Sequence, residues 1–386
     1  MSACLSLPIS VAATCPGQAL AGSDPMPVDL LAALASVEDP RARRGVRHRF
    51  VAVLAIGVCA VLAGARTFTA IAEWAHDLTP AVRFRLGLGR RSPSESTIRR
   101  VLQAVDAEAL DQTVSAWLVT GSAPSTTALR MIAIDGKSAR GTRGPGGRAV
   151  HLLAAFDQVS GVVLGQTVVE GKTNEINAFA PLLDRIDITD AIITADALHT
   201  QHRHADYLIS RGAHYVLTVK RNQPSLHRQL AALPWAQIPD VDLTHNKGHG
   251  RIESRSLKLA AVPAGIGFPH AHLAIQLTRR RRSLTSGKWH TETVYATTDM
   301  TWAQIRAEHI AEVIRGHWSI ENRLHWVRDV VFAEDHSQIR TGTGPAVMAT
   351  LRNLAVSLHR LTGATNIAAA CRHLSRHPNR VLPLLM

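Results

Sequence analysis

The stretch Arg130-Met131-Ile132-Ala133-Ile134-Asp135-Gly136 reads as a β run that ends on an acid. Two further β runs follow at 151–156 and 162–169. Between them lies Asp157-Gln158-Val159-Ser160-Gly161, a hairpin turn signal. Residues 174–186 then read as a helix, with Ile176, Phe179, Leu182 and Leu183 at core spacing. A fourth β run at 191–194 leads into Asp196. A helix is expected over 200–211 and a fifth β run over 215–219, closed by Lys220-Arg221-Asn222-Gln223-Pro224.

Three strands followed by helix, strand, helix and strand predict an α/β fold. A hairpin followed by alternating units gives a mixed sheet with helices packed on it. This is the order of a ribonuclease-H-like core.

Outward from that core, residues 240–300 break the alternation. Their short β-like runs predict a β-rich insertion, at about 237–300, with two basic loops. One loop is Lys247-Gly248-His249-Gly250-Arg251 and the other is Arg279-Arg280-Arg281-Arg282. A run of like charge is ordinarily a solvated face; in a basic chain, contact with DNA phosphate is the reading preferred here. From Trp302 a long helix is expected to about residue 331. A last amphipathic helix carries Val347, Leu351, Leu354, Leu358 and Leu361 on one face. The ribonuclease-H-like unit is thus drawn over 128–365, and a tail of a few turns over 366–386.

Upstream, residues 1–26 read as a loose leader with Pro16, Gly17, Gly22 and Pro25, and 121–127 as a linker. Between them, 27–120 reads as an all-helical domain that is expected to bind DNA. Its run 50–65, flanked by Arg49 and Arg66, is apolar but short for a membrane span of about 20 residues. A buried core helix is expected there. Ser92-Pro93-Ser94-Glu95 has helix-start chemistry ahead of Ile98, Val101 and Leu102. Arg99 and Arg100 on that helix are candidate DNA contacts, against the plainer reading of a capped surface helix.

The chain of 386 residues carries 43 Lys and Arg against 30 Asp and Glu, a net charge of +13. A surface this basic points to a polyanionic partner, and nucleic acid is the usual one. The four cysteines, Cys4, Cys15, Cys59 and Cys371, form no CxxC pair. That argues against a zinc ribbon or a disulfide scaffold and fits a reducing cytoplasm.

Chemistry is expected at three acids. Asp135 and Asp196 both follow β runs, and in an open α/β sheet ligands bind at the carboxyl ends of the strands. Two carboxylates brought together there repel unless a cation lies between them. Asp-Gly after a strand is also a common turn, so the pair carries more weight than either member. The third acid, Glu321, lies in Arg315-Gly316-His317-Trp318-Ser319-Ile320-Glu321-Asn322-Arg323-Leu324-His325-Trp326. On a straight helix Ile314, His317, Glu321, His325 and Arg328 share one stripe, beside an apolar stripe of Val313, Ile320, Leu324, Val327 and Val331. An exposed Glu pairing along its own helix is the plainer alternative. Zinc on His317, Glu321 and His325 is disfavoured, because the outer pair is about 12 Å apart along the axis. Carboxylates without soft ligands favour Mg²⁺ or Mn²⁺.

These residues meet a known pattern. Over residues 27–365 the chain resembles the ISAs family of insertion-sequence transposases, which includes the H-repeat-associated proteins. The resemblance rests on Ile134-Asp135-Gly136-Lys137, Thr194-Ala195-Asp196-Ala197-Leu198-His199-Thr200-Gln201, Gly248-His249-Gly250-Arg251-Ile252-Glu253, His317-Trp318-Ser319-Ile320-Glu321-Asn322 and Asp329-Val330-Val331-Phe332-Ala333-Glu334-Asp335. It implies a ribonuclease-H-like fold with a β-rich insertion before the last catalytic acid, and an accessory helical domain over 27–120. The wider superfamily has a Tyr, Arg, Glu, Lys signature around that acid. Here Ile314, His317, Glu321 and Arg328 stand at the matching positions, so only the acid is identical and Arg328 keeps a positive charge.

The resemblance implies a DDE transposase in which Asp135, Asp196 and Glu321 hold two divalent metal ions. Asp135 would bridge them, with Asp196 on one and Glu321 on the other. Hydrolysis at the element's ends would be followed by direct joining of the 3′-hydroxyl to target DNA. Lys137, His199, Lys220, Arg251, His317 and Arg328 are further candidates for phosphate contact. The expected partners are terminal inverted repeats, target DNA and a second copy in a synaptic homodimer. No membrane and no organic cofactor is expected, and the protein would sit in the cytoplasm, on the nucleoid when bound to DNA. A catalytically silent DNA-binding descendant and a stand-alone metal-dependent nuclease are the rival readings.

Overall fold

The computed structural model describes residues 29–44, 46–121, 129–144, 147–169, 174–248 and 250–385. The leader over 1–26, most of the 121–127 linker and His249 lie outside them. Six helices come first: α1 (Leu30–Ala35), α2 (Phe50–Leu62), α3 (Phe68–His76), α4 (Pro80–Arg85), α5 (Glu95–Leu102) and α6 (Ala107–Gly121). Their starts are written in short polar side chains. Asp29, Thr67, Thr79 and Ser94 each accept a backbone N–H of the first turn. Helix α2 is the apolar run of the sequence. It is buried almost all round, as a core helix rather than an amphipathic one. Among the described residues no helix is long and apolar enough to cross a membrane.

The sheet follows. Strands β1 (Met131–Ala139), β2 (Val150–Asp157) and β3 (Val163–Val169) form an antiparallel meander. Next come α7 (Glu175–Leu183), β4 (Ile192–Ala195), α8 (His202–Ser210), β5 (His214–Val219) and α9 (Pro224–Ala231). β4 pairs parallel with both β1 and β5. The insertion comprises β6 (Asp242–Gly248), β7 (Arg251–Ala261), β8 (Leu273–Ser283) and β9 (Trp289–Thr298). It joins the same sheet, because β9 pairs antiparallel with β5. The order is β3-β2-β1-β4-β5-β9-β8-β7-β6. The first five strands have the ribonuclease-H-like arrangement that the sequence predicts, with the β-rich insertion appended at one edge.

Helices α10 (Ala307–His317), α11 (Trp326–Val330), α12 (Gly344–Leu361) and α13 (Ile367–Arg376) complete the chain. Helix α12 is buried from Gly344 to His359. It packs on α2, α6 and β3, and so joins the first helices to the sheet.

Three expectations need correction. β1 does not stop at Asp135. It continues to Ala139 because β2 pairs with it as far as Val150. Arg279 to Arg282 form no loop: they lie within β8, paired across to β7 and β9. The expected helix from 302 to 331 is not continuous. It begins at Ala307 and passes through a π-helical turn at Glu321–His325 before α11. The tail packs back on the first helix: Leu385 is buried, and its carbonyl accepts the Leu30 N–H at 2.9 Å.

Candidate metal centre and DNA-facing residues

The site begins where one side of the sheet opens. Ile134 of β1 pairs with Ala195, the last residue of β4. Asp196 ends β4 by accepting the Leu198 N–H at 2.9 Å, which starts a 3-10 turn. β1 runs on, held only by β2, so Asp135 and Asp196 stand side by side at the rim of a cavity of about 450 Å³. Glu321 reaches the same cavity from the π turn. Apolar side chains of β5, β8 and β9, among them Val216, Ile275, Leu277 and Val294, form part of its wall.

Gly136 shows why this motif needs glycine. A Cβ there would lie 2.6 Å from the carboxyl group of Glu175. Glu175 is itself buried and bonded to His151 at 2.6 Å. Burial opposes its ionisation, but His151 and His199 outweigh that and hold its pKa down to about 2.

His325 is the residue sequence reasoning set aside. Its side chain is only 4% exposed, and Nδ1 lies 3.1 Å from Glu321 Oε2 and 3.5 Å from Asp135 Oδ2. Asp135, Glu321 and His325 each offer one ligand atom, all within 4.8 Å of one another. Asp196 lines the cavity but stands outside that tight group. Burial raises the pKa of Asp135, and the negative charges of Asp196 and Glu321 add to the rise while His325 offsets it. Glu321 is held below its ordinary value, chiefly by the hydrogen bond to His325. Clustered carboxylate oxygens with one imidazole nitrogen fit a hard divalent cation such as Mg²⁺ or Mn²⁺, whose charge would relieve this repulsion. The His317–Glu321–His325 zinc set is not formed, because His317 points elsewhere.

His317 Nδ1 lies 3.0 Å from Thr194 Oγ1, and Thr194 Oγ1 accepts from Gln158 Nε2 at 2.8 Å. The Thr194 hydroxyl can also donate to the Ile132 carbonyl at 3.4 Å, so its oxygen can equally accept a proton carried on His317 Nδ1. Burial lowers the His317 pKa to about 4, so the ring is neutral near pH 7. Gly316 makes this chain possible, since a side chain there would collide with Gln158. Trp318, 61% exposed, stands on the cavity wall and was not singled out from sequence.

The expected phosphate contacts divide. Lys220 lines the cavity and is exposed. Arg251 is exposed, 3.6 Å from Glu253. Arg280 and Arg282 are exposed, with guanidinium groups 5.1 and 6.0 Å from the Trp289 ring. Strand alternation sends their neighbours to the other face. Arg279 donates twice to Glu253, and Arg281 lies 3.6 Å from Glu292. Arg99 is paired with Glu95, and Arg100 is exposed.

Three candidates are placed where DNA does not reach them. Arg328 is wholly buried, donating to Glu334 at 2.8 and 2.9 Å and to Gln166 at 3.1 Å. Its charge is spent inside the fold, so it is not the external cation that the signature position suggests. Lys137 is buried with Nζ 2.6 Å from Asp329. His199 is buried beside Glu175 and Phe179.

Comparison with known proteins shows the family. A family model described as "Transposase DDE domain" matches residues 127–358, and one described as "DDE_Tnp_1-associated" matches residues 31–118. "Putative transposase YncI" of Escherichia coli O157:H7 is 30% identical over 86% of this chain and 87% of its own. "H repeat-associated putative transposase YhhI" of Escherichia coli K12 is 27% identical over 85% and 89%. A chain of a solved structure titled "Cryo-EM structure of piggyBac transposase synaptic complex with hairpin DNA (SNHP)" aligns over 90% of this chain and 75% of that one. Its TM-score is 0.40 at 10% identity, too distant to bear on function.

Proposed function

We propose that this chain, which belongs to the transposase DDE domain family, cuts phosphodiester bonds at the ends of an insertion sequence and joins the freed 3′-hydroxyl to target DNA. The observation that carries the reading is that Asp135, Asp196 and Glu321, distant in sequence, line one cavity at the open rim of the sheet. Asp135, Asp196 and Glu321 would hold two Mg²⁺ or Mn²⁺ ions, with His325 beside them. Bound there, the ions supply activation of the attacking oxygen and neutralisation of the leaving one.

The chain's own residues do the rest. Asp135 is fixed by its strand and by the Gly136 N–H, which it accepts at 2.9 Å. His325 orients Glu321 through the 3.1 Å contact. His317 lines the cavity as a neutral ring, and Lys220 offers a positive charge from the same cavity. The apolar wall limits water around the reacting phosphate. Positioning and charge stabilisation suffice for such a transfer, so no covalent protein intermediate is needed. A synaptic homodimer would present two ends together.

All three acids are retained, which gives a silent DNA-binding descendant no support. A stand-alone nuclease would share the site but join no strands. The first test is Asp135→Asn. Strand cleavage should vanish while DNA binding, read by gel shift, stays near wild type. Retained cleavage would remove Asp135 from the site.

A further inference from the structure

The largest cleft described in the molecule lies away from the three acids, among the first helices. It measures about 1110 Å³ and is walled by residues of the 41–44 and 46–48 stretches on one side and by residues of the 89–101 stretch on the other. Six arginines and a histidine line it, and none of its lining residues is acidic. Arg44, Arg47, Arg90, Arg91 and Arg100 are exposed there. The nearby carboxylates are already committed: Asp39 to Arg41 in a two-bond contact of 2.8 Å each, and Glu95 to Arg99. Arg44, Arg47, Arg90 and Arg91 have no carboxylate partner among the described residues. Small-molecule pockets are mostly apolar and about 300–1,000 Å³. This cleft is larger and is lined by guanidinium groups, the side chain best matched to phosphate oxygens.

We infer that this cleft seats the phosphate backbone of duplex DNA, in a second contact separate from the reacting site. The inference rests on the DNA-processing reading above for its choice of polyanion. His48, between the arginines in sequence, adds to the picture: burial first, then the charges of Arg41 and Arg47, hold its pKa below the ordinary value. The cleft is also rigidly tied to the catalytic sheet. Helix α5 ends at Leu102, and just beyond it the carbonyls of Gln103 and Val105 accept from Thr343, at 3.1 and 2.6 Å for its hydroxyl. Thr343 directly precedes α12, whose Ser357 hydroxyl accepts the Val163 N–H of β3 at 3.0 Å. DNA held in the cleft is therefore held at a fixed disposition to the cavity. Arginine contacts to phosphate position a duplex without reading its sequence. The cleft should thus add equal affinity for end-bearing and unrelated DNA.

The test is binding of the full chain to both duplexes in EDTA across a salt series. The variants are the triple Arg44→Ala, Arg47→Ala, Arg91→Ala; its triple lysine counterpart; and a control triple of exposed arginines elsewhere, Arg228→Ala, Arg372→Ala, Arg376→Ala. The cleft triple should bind both duplexes about tenfold or more weakly near physiological salt, with the slope of log K against log salt shallower by about 0.9 per lost contact. The lysine triple should recover most of this slope, which excludes misfolding as the cause. Wild-type affinity and slope in the alanine triple overturn the inference. So does an equal loss in the control triple, which would mean bulk charge, or a loss confined to end-bearing DNA, which would mean base reading. Because no cleavage is needed, failure of the catalytic reading in a metal-dependent assay leaves this result to stand or fall by itself.

Discussion

At the residue scale, Asp196 is legible because it closes a β run, and a strand's carboxyl end is where a sheet offers ligands a place. Asp135 is legible from the same signal in sequence, although β1 runs on past it to Ala139. Glu321 is legible from its helical stripe and from motif. His325 is not, because the sequence shows it as one of two histidines flanking an acid, and only the fold brings its Nδ1 within 3.5 Å of Asp135. Its role as an orienting group predicts that His325→Phe raises the Mg²⁺ concentration needed for half-maximal cleavage by about 10–100-fold. Excess Mg²⁺ should restore much of the rate. An unchanged metal requirement would take His325 out of the site. The turn that Asp-Gly offers as the plainer alternative is not formed: Gly136 lies inside β1 against Glu175. Gly136→Ala should cost about 1–3 kcal/mol of stability in urea unfolding and disturb cleavage with it. A variant as stable and active as wild type would show that Glu175 yields without cost.

At the element scale, the apolar stripe expected on the segment that carries Glu321 is observed: Val313, Ile320, Leu324, Val327 and Val331 are all buried. The polar stripe was not. A π turn takes roughly one residue more per turn than an α turn, so residues after Glu321 depart from the straight-helix projection. His325 and Arg328 end up inside. Arg328 then joins Glu334 and Arg352, two arginines on one buried carboxylate. Burial alone would raise the Glu334 pKa, but the two arginines hold it down to about 2. Its folded value lies below the ordinary 4.5. The stabilisation is therefore full above about pH 4.5 and is lost as pH falls toward about 2. Glu334→Gln leaves two buried charges without their partner and should cost about 3–5 kcal/mol at neutral pH. Denaturant unfolding across pH should show the gap between variant and wild type closing in acid. A gap that stays constant to low pH would contradict this assignment. The arginines of β8 make the same point about legibility: four in a row look like a solvated run, and only cross-strand pairing reveals that Arg279 is bonded to Glu253 while Arg280 and Arg282 face out.

At the scale of the whole molecule, the strand order, the insertion and the leading helices follow from local patterns, and the joints between them do not. Asp111 of α6 accepts the Gln166 N–H of β3 at 2.8 Å and the Thr350 hydroxyl of α12 at 3.1 Å. Thr343 reaches the end of α5, and Leu385 meets Leu30. Such contacts join residues far apart in the chain and leave no periodic trace in it. They matter for function because they hold the arginine-lined cleft of the helical part and the acid-lined cavity in one packed body. The central claim is that this cluster breaks and joins DNA strands. It is tested most directly with a labelled duplex carrying the element's own ends, incubated with wild type or Glu321→Gln, in Mg²⁺ or in EDTA. Wild type should cut at the ends and join them to target DNA only in Mg²⁺, and Glu321→Gln should bind the ends without doing either. Specific binding by wild type without cutting, or cutting that survives in Glu321→Gln, would contradict the account.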